Sequence, residues 1–160
     1  MAKKSMRTKE VVKRHDLKNI KGNTGEWSEL YVVFKILSDG YLLKAEDPQV
    51  KIRVDAIQLR KDGAKITFRR DDTKVDVIDS EDRIAKTVNL SEIRALKSRL
   101  YQGIVDRPKK ARTYEIECSE EALVLLGLDR SFKQGSDLKH DISVATFDSQ
   151  IGEYTFDGYS

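Results

Sequence analysis

The chain has 160 residues, of which 39% are hydrophobic and 36% charged, and it carries a net charge of +3. This length suits one domain, and the recurring aromatic and β-branched residues exclude a mostly disordered chain. No run of about 18 apolar residues occurs, so no membrane-spanning helix is expected. The single cysteine, Cys118, has no intrachain disulfide partner and indicates a reducing, intracellular compartment.

Positive charge is concentrated in two segments of the chain. Residues 1–21 hold eight Lys or Arg residues against Glu10 and Asp16, and a second cluster runs from Arg107 to Arg112. Such segments attract phosphate backbones without regard to sequence, although a solubilising tail and an exposed loop give the same pattern. Residues 1–22 are predicted to form a basic flexible arm.

The first half of the chain predicts a capped helix followed by strands. Asn23 and Glu26 have capping-box spacing and predict a helix over residues 25–38, which Gly40 ends. Residues 41–44 are strand-like, and residues 50–59 alternate as one longer strand. A hairpin turn at residues 61–63 then leads to strands over residues 64–69 and 74–78, which together predict an antiparallel meander.

The second half predicts two further helices and a final hairpin. Asn89 and Glu92 repeat the capping-box spacing and predict a helix that Gly103 closes. A strand near residues 114–118 and a short helix over 120–126 follow. Residues 141–147 and 153–159 predict a β-hairpin. Together the elements predict an α/β (α+β) fold, with a mixed β-sheet flanked by helices.

Carboxylates are the remaining candidates for chemistry, because no Gly-rich phosphate loop, HExxH motif or zinc-ligand cluster occurs. Asp141 opens the first hairpin strand, where a carboxylate can hold Mg²⁺, although an Asp beside a turn more often caps a loop. Glu26 and Glu29 share one helix face. Glu26 also completes the capping box, and Glu29 fits a solvated helix position equally well.

The predicted first helix resembles the opening of the HpaII family of type II restriction endonucleases. That opening reads roughly N-x-G-E-W-S-E-x-Y-x-x-x-K-x-L-x-D-G, and the chain reads Asn23-Thr24-Gly25-Glu26-Trp27-Ser28-Glu29-Leu30-Tyr31-Val32, then Lys35, Leu37 and Asp39-Gly40. In the last part of the chain, the residues that resemble the family's S-x-K-x-D-I segment and following aspartate are Ser136, Lys139, Asp141-Ile142 and Asp148. Gly158-Tyr159-Ser160 resembles the start of the family's G-F-S-I-K-S segment, whereas residues 50–112 match no part of the family that we can quote.

This resemblance implies a nuclease similar to the PD-(D/E)xK fold that hydrolyses DNA at CCGG with Mg²⁺. It implies that Asp141 is the catalytic, metal-binding aspartate and that Ser160 occupies the acidic position of the catalytic triplet. It also implies that Glu29, or Glu26, faces the metal.

The resemblance further implies that residues 23–160 form the N-terminal part of a nuclease domain. The family's lysine stands two positions beyond Ser160. The chain is therefore expected to be truncated within the active-site hairpin, with a fold incomplete at its C-terminus, and to be inactive by itself.

The expected partner is double-stranded DNA, with Lys139, Arg69 and Arg70 as contacts. A palindromic site also suggests a homodimer of the intact protein, in the bacterial cytoplasm. Two alternatives stay open: a DNA-binding module without chemistry, which the basic arm and the meander would suffice to make, and a structural or regulatory interaction domain.

Overall fold

The computed structural model describes residues 20–44, 46–60 and 64–128, together with the backbone of Lys61, Ile142–Asp148 and Glu153–Gly158. The helices are α1 (Thr24–Asp39), α2 (Leu90–Val105) and α3 (Ser119–Leu125). The strands are β1 (Tyr41–Lys44), β2 (Asp47–Arg53), β3 (Ala56–Lys61), β4 (Ala64–Arg70), β5 (Lys74–Ile78), β6 (Ile84–Asn89), β7 (Ile142–Asp148) and β8 (Glu153–Gly158).

Helix α1 begins and ends where its capping residues predict. The Asn23 Oδ1 accepts the backbone N–H of Glu26 at 2.8 Å, and the Glu26 Oε1 accepts the N–H of Asn23 at 3.1 Å, which completes the capping box. Gly40 ends the helix in the left-handed region, with φ of 77°, where a residue with a Cβ is disfavoured. The predicted helix is confirmed at both ends.

The described strands form two antiparallel sheets. A six-stranded sheet has the order β6-β5-β4-β3-β7-β8, and β1 and β2 form a separate two-stranded sheet. The predicted meander is confirmed in β3, β4 and β5, which pair with their neighbours in sequence. Because the described part of the chain combines helices with antiparallel sheets, the predicted α/β (α+β) class is confirmed.

The single strand predicted over residues 50–59 is wrong, because this stretch is divided between two sheets. Strand β2 ends at Arg53 and β3 begins at Ala56, and between them the Val54 N–H donates to the Gly40 carbonyl at 2.9 Å. Val50 and Ile52 are 43% and 45% exposed, so they do not share the core side of β3.

One face of the large sheet is apolar and faces the helices. The buried inward residues of β3 to β6 alternate with polar ones; they are Ile57, Leu59, Phe68, Val75, Val77 and Val88. Trp27, Phe34 and Leu37 of α1 and Leu100 of α2 are buried in the same core. Lys97 is 3.5 Å from Asp39, and the rings of Tyr101 and Tyr31 are 5.7 Å apart. Helix α2 therefore runs antiparallel to α1.

Several smaller predictions are corrected around α2. The helix continues past Gly103 to Val105, and the Asn89 side chain makes no capping hydrogen bond. Strand β6 was not predicted. Residues 114–118 form one isolated bridge, between Tyr114 and Gly22, instead of a strand.

Beyond α2, the short helix predicted over residues 120–126 is present as α3, which begins at Ser119 with Cys118 at its N-cap position. The turn residues Asp62 and Gly63 lie outside the described residues, while Lys61 and Ala64 on either side of them are paired. Of the predicted basic arm, only residues from Ile20 onward are described; the Ile20 side chain is buried in the core.

Candidate active site and nucleic-acid interface

The two candidate glutamates lie in the first turns of α1, which is fastened to the segment around Tyr114. Trp27, between them, is fully buried, and its Nε1 donates to the Tyr114 carbonyl at 3.0 Å. The hydroxyl groups of Thr24 and Tyr114 are 3.2 Å apart. Glu26 and Glu29 are both half-buried, and Glu26 already uses Oε1 in the capping box. The helix thus places two carboxylates in fixed, partly shielded positions.

The predicted C-terminal hairpin is present and belongs to the large sheet. Strands β7 and β8 pair from Asp148↔Glu153 to Ser143↔Gly158 without a register shift. On its other side β7 pairs with β3, where Ile142 is the partner of Leu59. Three predicted site residues adjoining or near these strands, Asp141, Ser160 and Lys139, lie outside the described residues.

Helix α1 and strand β3 extend from one junction. The Val54 N–H donates to the Gly40 carbonyl, and the Arg70 Nε donates to the Leu37 carbonyl at 2.9 Å. From this junction α1 runs back toward Glu29 and β3 runs forward toward Leu59. The start of β7 pairs with Leu59, at the far end of β3 from the junction. Glu26 and Glu29 lie at the far end of α1 from the same junction.

Across β3 to β6, the second face of the large sheet is mainly polar. The Arg69 guanidinium donates to the Asp76 carboxylate at 3.2 Å, and the Thr87 hydroxyl donates to its other oxygen at 2.9 Å. A cavity of about 230 Å³ opens on this face. Its lining residues are Ala56, Gln58, Lys65, Thr67, Arg69, Ile78 and Asp82. Arg69 therefore lies on an accessible polar surface.

Gln58 is a residue of this face that the sequence did not single out. Its side chain is buried, its Nε2 donates to the Thr67 hydroxyl at 3.3 Å, and its Oε1 accepts from the Arg60 Nε at 3.0 Å. The signal was the alternation Ile57-Gln58-Leu59-Arg60, which puts Gln58 and Arg60 together opposite the core. The network holds the Arg60 guanidinium in place.

Arg70 occupies a different environment from Arg69. Besides its bond to the Leu37 carbonyl, its guanidinium lies against Gly40, where a Cβ would collide with it. A cation at the C-terminal end of a helix is favoured by the helix dipole and by unpaired carbonyl groups. Part of the Arg70 guanidinium thus stabilises the end of α1.

The described part of the chain offers no further catalytic group or metal cluster. Burial raises the pKa of the Cys118 thiol above its ordinary value, which disfavours the nucleophilic thiolate. Among the described residues, no three His, Cys, Asp or Glu side chains are grouped to hold a metal ion. The helices in that part are also too short or too polar to cross a membrane.

Comparison with known proteins identifies the family. A family model described as HpaII restriction endonuclease matches residues 23–160, from the N-cap of α1 through the hairpin. Searches of curated proteins and of solved structures gave no match. Restriction endonucleases bind and cut DNA in restriction–modification and generally use a divalent metal. Because the match covers most of the sequence, the chain belongs to the HpaII restriction endonuclease family.

Proposed function

We propose that the protein is a type II site-specific deoxyribonuclease that hydrolyses DNA phosphodiesters at CCGG with Mg²⁺. The observation that carries this proposal is the family match over residues 23–160, which includes the capped helix and the hairpin together. The fold supports it, because the hairpin is paired with β3 inside the large sheet. We place its action in the bacterial cytoplasm, where restriction enzymes meet incoming DNA.

The catalytic residues in this proposal are Asp141, Ser160 and Glu29. The β7–β8 register supports the first two, because Asp141 and Ser160 each stand two residues beyond the Ser143↔Gly158 pair. Nucleases similar to the PD-(D/E)xK fold place the catalytic aspartate on one strand of a hairpin and the triplet on the next strand. Glu29 is supported by its place in the capped helix α1, which the family match includes.

The donor chemistry of these residues fits Mg²⁺, which takes one or two carboxylates and keeps waters and phosphate oxygens as its other ligands. Asp141 and Glu29 supply carboxylates, while Glu26 is the weaker ligand because one oxygen is used in the capping box. When bound, the metal stabilises charge on the scissile phosphate and lowers the pKa of an attacking water. The lysine of the family's G-F-S-I-K-S segment would orient that water.

The proposed DNA contacts are Lys139, Arg69 and Arg70. Arg69 is supported by its place on the polar face, where its side chain is 38% exposed. Arg70 has only part of its guanidinium left for DNA, because its Nε is engaged by Leu37. Arginine is suited to G·C pairs, since it donates to O6 and N7 of guanine in the major groove. The symmetry of CCGG is matched by a homodimer, in which each protomer reads one half-site.

The role of Asp141 is tested by separating DNA cleavage from DNA binding. Asp141→Asn keeps the size of the side chain and removes the charge that would hold the metal. We expect cleavage to fall by at least about a hundredfold, since charge stabilisation at the phosphate is lost. Binding of a CCGG duplex, measured by fluorescence anisotropy in EDTA, should change less than about threefold, a shift of under 1 kcal/mol.

The matched control is Asp72→Asn, which removes the same charge from an exposed turn between β4 and β5. Both variants are assayed in the 160-residue chain and in a chain continued through the family's lysine and C-terminal region. Retained cleavage by the Asp141→Asn enzyme would remove Asp141 from the site. Salt-dependent binding without cleavage by either parent chain would favour the DNA-binding module.

A further inference from the structure

The loop between α2 and Tyr114 carries a cluster of cations. These cations differ from those in ion pairs elsewhere in the structure, because no carboxylate of the described residues neutralises them. We propose that this loop, residues 107–112, holds the phosphate backbone of duplex DNA beside the first turn of α1. The inference rests on the proposed function, and it assigns the phosphate contact to a segment outside the hairpin and the polar sheet face. The segment contains Arg107, Lys109, Lys110 and Arg112 and no acidic residue.

The charges of this loop are exposed and not neutralised. Every residue from 107 to 112 is exposed, and Arg107 donates from its guanidinium to the Ile104 carbonyl at 2.9 Å. Among the described residues, no carboxylate forms an ion pair with Lys109, Lys110 or Arg112. The flanking acid Asp106 accepts a hydrogen bond from Gln102 at 2.8 Å.

Six cations on the described helices and strands are placed differently, because each faces a carboxylate. The ion pairs are Lys35–Asp39, Arg53–Asp55, Lys65–Asp82, Arg69–Asp76, Lys97–Asp39 and Arg99–Glu121. A cation that already has a carboxylate partner must give it up to bind a phosphate. The loop cations need no such exchange, so they are the better phosphate ligands.

The fold fixes where this loop lies. Helix α2 runs antiparallel to α1, so its last residues and the loop after it reach the N-terminal end of α1. The loop then returns to Tyr114, whose N–H and carbonyl exchange two hydrogen bonds of 3.0 Å with Gly22. Tyr114 also accepts the bond from Trp27. These three bonds, with the 3.2 Å contact between the Thr24 and Tyr114 hydroxyl groups, hold the end of the loop beside the helix that carries Glu26 and Glu29.

This placement matters for the reaction, because a phosphate contact beside the proposed metal ligands would fix the register of the duplex on the enzyme. Contacts of lysine and arginine to phosphates position DNA without reading its sequence. Each duplex phosphate neutralised releases counterions and adds about 0.9 to the slope of log affinity against log salt concentration.

The test uses a loop variant and a control variant of equal charge. The loop variant is Lys109→Gln, Lys110→Gln and Arg112→Gln together. The control variant is Lys44→Gln, Lys74→Gln and Arg94→Gln, which removes two lysines and one arginine from exposed positions on β1, β5 and the first turns of α2. Both variants change the net charge equally, so general electrostatic attraction falls by the same amount. Thermal melts confirm that each variant is folded.

Binding of a labelled duplex without CCGG is measured by fluorescence anisotropy in EDTA over a series of KCl concentrations. We expect the loop variant to lose about 3 from the magnitude of the salt slope and at least about tenfold in affinity at 0.1 M KCl, and the control variant to lose less than about 1 from the slope. Equal slopes for the two variants would overturn the inference while leaving the proposed function intact. Absence of salt-dependent binding by the unsubstituted chain would instead overturn the proposed function, and the loop assignment with it.

Discussion

Asn23 and Asn89 have the same sequence context and different roles. Each precedes a helix and stands three residues before a glutamate. The Asn23 side chain caps α1, whereas Asn89 is the last residue of β6 and its side chain makes no capping bond. The first N–H of α2, that of Leu90, is instead donated to the Thr73 carbonyl at 3.0 Å. A backbone carbonyl in the turn before β5 has replaced part of the cap.

This difference predicts unequal costs for the same substitution. Asn23→Ala should lower the free energy of unfolding by about 1 kcal/mol, because the Glu26 N–H loses its side-chain acceptor, although the backbone N–H of residue 23 can still donate to the Glu26 carboxylate. Asn89→Ala should lower it by no more than about 0.3 kcal/mol, since no side-chain bond is lost. Urea denaturation followed by circular dichroism measures both. Equal losses would contradict the assigned capping of α1.

Arg69 and Arg70 show that residue type alone does not decide which face of the sheet a side chain points to. They are adjacent and chemically identical, but successive strand residues point to opposite faces of a sheet. Arg69 therefore reaches Asp76 on the polar face, and Arg70 reaches the end of α1. The sequence predicted both as DNA contacts; the alternation separates them, and Arg69 has the more accessible surroundings.

Among the elements, α2 was predicted to end at Gly103, but the glycine lies within the helix. A Cβ at this position would be 2.6 Å from the Ile116 Cγ2 atom. The glycine is therefore required for close packing between α2 and the segment after the basic loop. Sequence spacing could not reveal this, because the contact is with a residue in another element.

Gly103→Ala should destabilise the protein by about 1–2 kcal/mol, because the collision with a β-branched side chain outweighs the better helix propensity of alanine. Combined with Ile116→Ala, which removes the colliding atom, the same change should be neutral or stabilising by up to about 1 kcal/mol. Thermal or urea unfolding of the four proteins in this cycle gives the coupling. An identical loss in both backgrounds would show that the contact with Ile116 is not the cause.

The elements that the sequence predicted well are those with local signals at both ends. Helix α1 has an N-cap asparagine and a C-cap glycine, and β5 was predicted with its observed bounds. The division between β2 and β3 was missed, although the apolar alternation shifts by one residue there: Val50, Ile52 and Val54 are followed by Ile57 and Leu59. Strand β6 was missed because Val88 is its only buried residue, so little apolar pattern marks it.

The candidate site was predictable to a similar extent. The opening string of α1 identified Glu26 and Glu29, and the last hairpin was predicted close to its observed strands. The network of Gln58 with Thr67 and Arg60 was not predicted, because it depends on the pairing of β3 with β4. Tertiary pairing, not residue type, creates that part of the polar face.

At the scale of the whole molecule, a net charge of +3 conceals an uneven arrangement. The polar sheet face combines cations with carboxylates, while the loop at residues 107–112 combines cations only. Phosphate attraction and base reading are therefore assigned to different parts of the molecule. The proposed metal ligands act after both of these steps, since the scissile phosphate must be positioned before it is cut.

The central claim is site-specific cleavage of DNA, and a pair of plasmids tests it most directly. One supercoiled plasmid carries a single CCGG site, and in its twin the site is changed to CGCG. Each is incubated with Mg²⁺ or with EDTA, using the chain continued through the family's S-I-K-S segment and the C-terminal region that follows it in the family. The account predicts that the first plasmid is linearised at its CCGG site only when Mg²⁺ is present, and that the twin stays supercoiled. Equal cutting of both plasmids, or no cutting of either, would contradict it.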